Sequence, residues 1–477
     1  MIRIDSSGSL MRHIVPSIQA WFTPSTKAAP MNRLLRTTTL ATIALLSLCL
    51  TLGGCGLGVT TSTTSAPTGS TGPALHGLVY GGQQPLYGAA VYLYAAGTSD
   101  YGSTYPYPGA AKSLLGSNVV TTDQDGGFNL GGDYSCPTPA TEVYLEAVGG
   151  SPDGVLADNN PNVIMLAALG PCGNLSSATF ITLNELTTVA SVWSLAPFMT
   201  GPSNIGTRAN NLVGLANAFE TVNTLVNIQY GQVNSTSLPA GATVPTAELN
   251  TLADILAACV NTPKGGHSGD STQCGALFQN AIPPGGSAPT DTLTAALNIA
   301  HYPGQNVQSL ALIANKTAPF QNIEASIPTD WTISIRYTAG GALAAPSGVA
   351  ADQAGNIWVA NSTGASVTRL STVGDVVATY TGGSGPLAID LSGDLWINGS
   401  TPNSLLEISS AGVTSSSTGG GLGTTTAIAV DGSGYVWAAG TGTTLSQFNS
   451  ANGTAVAASG FTGGGLSNAR SIAITPK

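Results

Sequence analysis

Histidine and carboxylate side chains are the first places to look for chemistry, and this chain has few of the former. Its four histidines are His13, His76, His267 and His301, in 477 residues. Glu185, Glu220, Glu248 and Asp254 fall in helical stretches, and none is spaced with a histidine as an ExxH metal pair. No HExxH, GxSxG or P-loop pattern occurs, so those hydrolytic and phosphate-binding chemistries have no residues to carry them. His301 precedes Tyr302-Pro303 at the end of a helical run, where a cation complements the helix dipole. Asp123-x-Asp125-Gly126 begins like a calcium loop but lacks the closing acidic ligand. Asx side chains capping a turn account for it. Tyr101, Tyr105 and Tyr107, with Pro106 and Pro108, could stack on sugar rings or simply pack a loop. No catalytic residue, cofactor or metal site is expected.

The cysteines carry more information. Cys49 lies in an apolar run, Leu40 to Leu52, preceded by Arg33 and Arg36 and followed by Gly53-Gly54-Cys55. That run is too short to span a bilayer, which takes ~20 residues. Met31 reads as the true start, with residues 1–54 as the signal region. The sequence Leu52-Gly53-Gly54-Cys55 resembles the lipobox of bacterial lipoprotein signal peptides. The resemblance implies that Cys55 is acylated and becomes the first mature residue, which places the chain in the cell envelope, outside the cytoplasm. Gly56 in place of Asp implies the outer membrane, by analogy with lipoprotein sorting. Residues 55–73 are Ser/Thr/Gly-rich and uncharged, a flexible tether. Four further cysteines remain, Cys136, Cys172, Cys259 and Cys274. An even number outside the cytosol indicates disulfides. Three pairings are open, and the simplest is Cys136–Cys172 with Cys259–Cys274, each within one segment. Metal binding is the alternative, but no CxxC occurs.

Three elements must position whatever site exists. Residues 74–182 alternate apolar and polar side chains in short runs, as in Val91, Leu93 and Ala95 against Tyr92 and Tyr94, which reads as a β-sandwich. Its order, G-x-V at Gly77–Val79, P-x-x-G-A-x-V-x-L at Pro85–Leu93 and T-D-x-x-G-x-F at Thr122–Phe128, resembles the carboxypeptidase regulatory-like, transthyretin-like family. Residues 183–328 change period. Leu212, Leu215, Phe219, Val222 and Val226 recur at steps of three and four, as do Leu249, Leu252 and Ile255. A small α-helical bundle is expected there, with shorter helices at Gln273–Ala281, Asp291–His301 and Asn306–Lys316.

Residues 329–477 repeat a phrase. Its copies are PSGVAADQAGNIWVA at Pro346–Ala360, GPLAIDLSGDLWIN at Gly385–Asn398 and TTAIAVDGSGYVWAA at Thr425–Ala439. Asp352, Asp390 and Asp431 recur in register with Trp358, Trp396 and Trp437. A period near 40 with several strands per unit is that of a β-propeller blade. The Asp is expected to accept from the turn amides after it, and the Trp to pack between blades. The phrase resembles the NHL repeats of extracytoplasmic propellers, including the virginiamycin B lyase-like group. That activity is associated with a catalytic His and a metal-binding carboxylate, and no His follows His301. Trp331–Tyr337 is expected to lead into the first blade, and ARSIAITPK to begin a fourth. Three to four blades make an arc, not a closed ring.

The reading is thus mainly β and multidomain: sandwich, helical bundle, partial propeller. Net charge is −10, and without residues 1–54 it falls to −14. Such a surface repels phosphate backbones, so no nucleic-acid partner is expected. The expected function is non-enzymatic binding of protein or polysaccharide at the envelope, with the membrane as partner through the lipid. The alternatives are a propeller lyase or lactonase, and a purely structural adhesion protein.

Overall fold

The computed structural model describes residues 2–4, 10–14, 71–105, 111–235, 238–314 and 319–474. Among the described residues the chain is mainly β, built from many small sheets with six α-helices between them. Strand β1 (Leu75–Gly81) alternates buried and half-buried residues along its whole length. It pairs antiparallel with β3 (Gly127–Leu130) and parallel with β6 (Phe180–Leu183). A second sheet joins β2 (Ala90–Ala95), β4 (Glu142–Val148) and β5 (Ile164–Pro171), all antiparallel. Leu75, Val79, Val91, Leu93, Leu145 and Ile181 fill the space between the two sheets. Each Val, Leu or Ile buried there contributes about 1.5–3 kcal/mol.

The second sheet is buried on both faces. Val143, Leu145 and Ala147 of β4 face the sandwich core, while Tyr144 between them joins a second core with the helices. Glu142 and Glu146 share the Tyr144 face and are also buried. Against that face pack α1 (Glu185–Leu195) and α2 (Leu212–Leu225), with α3 (Thr246–Val260), α4 (Gln273–Asn280), α5 (Thr292–His301) and α6 (Val307–Ala314) around them. The edge strand β5 is closed by these helices. The N–H groups of Ile164, Leu166 and Ala168 donate to the hydroxyls of Thr292, Thr188 and Ser191, at 3.0, 3.0 and 3.1 Å. Helix hydroxyls thus satisfy donors that an open sheet edge would leave for another chain. Asn184 starts α1 with a reciprocal cap. Its side chain accepts from the Thr187 N–H, and Thr187 Oγ1 accepts from the Asn184 N–H, satisfying two otherwise orphan donors.

The C-terminal third forms three consecutive four-stranded antiparallel meanders. The first is β8 (Pro346–Ala351), β9 (Ile357–Asn361), β10 (Ser366–Leu370) and β11 (Val376–Thr381). The second is β12 (Gly383–Ile389), β13 (Leu395–Gly399), β14 (Ser404–Ile408) and β15 (Thr414–Thr418). The third is β16 (Thr425–Val430), β17 (Tyr435–Gly440), β18 (Thr444–Asn449) and β19 (Phe461–Thr462). Their first strands lie side by side. Gly348 is where β8 meets the second sheet, and a Cβ there would come 2.7 Å from the Gly385 carbonyl oxygen. Trp358, Ala360 and Val367 of the first sheet pack on Leu395, Ile397 and Ile408 of the second. Trp396 and Leu405 of the second pack on Val436, Ala438 and Phe448 of the third. No further sheet follows the third among the described residues, and Trp437 is only half-buried.

Two segments differ from the sequence expectation. Trp331–Tyr337 does not lead into the first repeat sheet. Strand β7 (Ile333–Tyr337) pairs with Leu10–Ile14 on one side and with Ala242–Thr243 on the other. Trp331, Ile333 and Ile335 are buried in the helical core. Their apolar spacing serves that core rather than a blade. ARSIAITPK forms no strand over the part described. Its residues run beside the third sheet, where Thr426 Oγ1 donates to the Ala469 carbonyl.

Candidate functional site

The recurring residues of the repeats form one local device, built three times. In the first sheet Asp352 Oδ1 accepts from the N–H groups of Ala354 and Asn356, at 3.0 and 2.9 Å, and Oδ2 accepts from the Trp358 indole at 3.1 Å. Asp390 does the same for Ser392, Asp394 and Trp396, with the indole at 3.0 Å. Asp431 does so for Ser433, Tyr435 and Trp437, with the indole at 2.8 Å. The glycine three residues after each Asp has positive φ, +83° at Gly355, +82° at Gly393 and +80° at Gly434. Only glycine takes that conformation without strain. Asp-x-x-Gly thus closes the turn, and the Trp three residues after the Gly locks it to the sheet. In the first sheet Arg369 adds to the device. Its guanidinium carbon stands 4.9 Å from the centre of the Trp358 ring, and Nη2 is 3.4 Å from Asp352 Oδ2.

The other sequence candidates resolve into structure. Cys136 is bonded to Cys172 and Cys259 to Cys274. The second bond ties α3 to α4 and closes the polar loop between them. Cys55 lies outside the described residues, as does Tyr107. Tyr101 donates from its hydroxyl to the Met199 carbonyl at 2.7 Å, so its ring packs a loop. Asp123 Oδ1 accepts from Asp125 N and Gly127 N, at 3.0 and 2.7 Å, as an Asx turn does. His301 ends α5. Its Nε2–H donates to the Ala196 carbonyl at 3.2 Å, and burial lowers its pKa below the ordinary 6.5. Among the described residues no group of three or more His, Cys, Asp or Glu could hold a metal ion. No helix among them is long and apolar enough to cross a membrane.

One open cavity of about 470 Å³ brings together residues that the sequence reading did not connect. Its walls come from the turn after β1, the start of α1, the turn at Tyr230-Gly231, α3 and residues 319–322. Two buried carboxylates pin two of these walls. The Gly82 N–H donates to both oxygens of Glu185, at 3.0 and 2.9 Å. The Phe320 N–H donates to Asp254 Oδ1 at 2.9 Å. Burial raises the Glu185 pKa to about 8 against the opposing Gly82 hydrogen bond, and raises Asp254 to about 7 against the Phe320 bond. Asn184 joins a third wall, donating through Nδ2 to the Gly231 carbonyl at 2.8 Å. The Asn250 amide donates to the Gln321 carbonyl and ties α3 to residues 319–322 a second time. The volume lies within the range of small-ligand sites, about 300–1,000 Å³.

A second buried carboxylate pair lies beneath the helices. Glu146 Oε1 accepts from the Ser203 N–H at 2.6 Å. Its pKa is raised to about 8, first by burial. Burial, with the nearby Glu220, raises Glu142 to about 7. These groups face a packed interior.

No family model and no curated protein sequence matches the chain. Among solved structures, a catalytically inactive virginiamycin B lyase from Staphylococcus aureus with quinupristin is 17% identical, with a TM-score of 0.21. The match covers 23% of this chain and 39% of that one. The Kuenenia stuttgartiensis hydrazine synthase is 14% identical over 23% of this chain and 34% of that one, with a TM-score of 0.21. A Bacteroides caccae protein of unknown function is 16% identical over 24% of this chain and 44% of that one, with a TM-score of 0.20. This chain therefore spans well under half the length of each, and no functional weight rests on overlaps of this size.

Proposed function

We propose that the chain is a lipid-anchored protein of the cell envelope, in which a partial propeller of NHL-like repeats acts as a scaffold for binding protein or polysaccharide without catalysis. The observation that carries the non-catalytic reading is the use made of the repeat carboxylates. Asp352, Asp390 and Asp431 each accept from two turn amides and one indole of their own repeat. They are bound into the structure in the same way three times. A lyase of the virginiamycin B type would call for a histidine in the repeats, and none follows His301. The amide-walled cavity supports binding over a purely structural role. The anchor rests on Leu52-Gly53-Gly54-Cys55 after the apolar run that follows Arg33 and Arg36.

Metabolic labelling with an alkyne fatty acid tests the anchor. The wild-type chain is expected to take the label and to partition with membranes. Cys55→Ala is expected to lose both. Unlabelled wild type, or equal labelling of the variant, sinks the lipid anchor.

A further inference from the structure

The cavity beside the turn after β1 has a distinctive lining. Of its 13 lining residues, six carry primary amides: Gln83, Asn184, Gln232, Asn250, Gln321 and Asn322. None of the 13 carries a formal charge at neutral pH. Asn184 and Asn250 are more than nine-tenths buried and fix the walls, as described above. Gln232, Gln321 and Asn322 are exposed, and their side chains make no hydrogen bond within the described protein. Tyr230 stands at the mouth with 62% of its surface exposed, and Phe320 gives the wall a second aromatic ring.

Each primary amide carries two donors and an oxygen acceptor. A ring of them suits a ligand whose groups both donate and accept within a short span, as sugar hydroxyls do. Tyrosine offers an apolar ring face with a polar tip, which suits the C–H face of a pyranose ring. An anion finds no cation in the lining. A peptide would present one donor and one acceptor per residue, spaced ~3.3 Å apart along an extended chain, and the strand in the lining, Gln232–Val233, is only two residues long, too short a template for an added strand. Buried polar groups tie the turn after β1 and the Gly231 turn to the start of α1, and residues 319–322 to α3, so much of the opening is formed before a ligand arrives.

From these contacts we propose that this cavity binds a neutral saccharide, with Tyr230 stacking on a sugar ring and Gln232 and Gln321 bonding its hydroxyls. The proposal rests on the reading of the chain as a binding protein and names the ligand class of one site. Glu185 and Asp254 are positioning residues, since they hold the Gly82 and Phe320 backbones and do not line the opening themselves.

Titration calorimetry of the full chain with maltohexaose, cellohexaose and hexa-N-acetylchitohexaose tests it, with polygalacturonate as an anionic control and an extended hexapeptide as a peptide control. At least one neutral hexasaccharide is expected to bind, and polygalacturonate is not. Tyr230→Ala, and separately Gln232→Ala with Gln321→Ala, are expected to weaken binding by about tenfold or more. All three side chains are exposed, and an unchanged melting temperature shows the variants folded. Binding of none of the three neutral saccharides overturns the proposal. So does saccharide binding that both variants retain, or binding of the peptide alone. Retention of an envelope component by a Tyr230→Ala chain that has lost saccharide binding leaves the binding-protein reading standing and separates the two failures.

Discussion

Trp396→Ala is expected to cost about 3–5 kcal/mol of unfolding free energy, and Trp437→Ala less than half of that. The two indoles occupy the same position in successive repeats and make the same bond to their Asp. They differ in what covers them. Trp396 is fully buried between the second and third sheets, against Val436 and Phe448. Trp437 is half-buried, with Phe461 beside it at 5.8 Å between ring centres, and no sheet follows it among the described residues. Truncating Trp396 opens a cavity the size of an indole and also strands one oxygen of Asp390, which is 4% exposed. Trp358→Ala belongs with Trp396→Ala, because Trp358 is equally buried and also carries the Arg369 stack. In an array whose units touch only their neighbours, the loss is set by the interfaces a residue serves. Chemical unfolding of the three variants measures the order. Equal losses at all three positions would mean that the third sheet is covered as the others are.

The second large effect is in pH. Melting temperature is expected to fall as pH rises from 5 to 9. Glu185 and Glu146 are 1% and 2% exposed, and burial raises each from an ordinary 4.5 to about 8. A carboxyl whose folded pKa lies above its unfolded value holds its proton more tightly when folded. Between about pH 4.5 and 8 the folded state therefore binds more protons than the unfolded state, and stability falls with rising pH. It is greatest below about pH 4.5 for these groups and reaches its low plateau above 8. This is opposite in sign to the acid lability of proteins whose carboxylates are salt-bridged. A shift of this size corresponds to a cost on the order of 5 kcal/mol per group at pH 9. Glu185→Gln keeps an oxygen to accept from the Gly82 N–H while removing the charge. It is expected to be near neutral at pH 5 and clearly stabilising at pH 9, and Glu146→Gln likewise. The formal charge of −10 also repels itself more strongly at high pH. The comparison of each variant with wild type at one pH removes that shared contribution. A melting temperature that rises from pH 5 to 9, or variants that track wild type throughout, would contradict the assignment.

What could be read from the chain alone follows from how local each feature is. The repeat device spans only six residues from Asp to Trp, so its register was legible as a pattern of Asp, Gly and Trp. The fourth strand Thr414–Thr418 was not, because TSSST has no apolar alternation. The shared sheet was hidden for a related reason. Glu142, Tyr144 and Glu146 alternate with Val143, Leu145 and Ala147, which looks like a solvent face opposite a core. Helices cover that face instead, and their hydroxyls close the edge of β5. The cavity was beyond reach of sequence patterning, since its amides come from positions as far apart as Gln83 and Asn322. Trp331 and Ile333 showed the strand period correctly but gave no sign of which neighbour they would pair with.

The central claim is that the chain binds at the envelope and does not turn its ligand over. The most direct measurement passes solubilised envelope extract over the immobilised full chain, and in parallel incubates the chain with lactone and cyclic-ester substrates. A protein or polysaccharide component is expected to be retained saturably, and the ester bonds to remain intact. Turnover above the blank, or no component retained over the blank matrix, would contradict the claim.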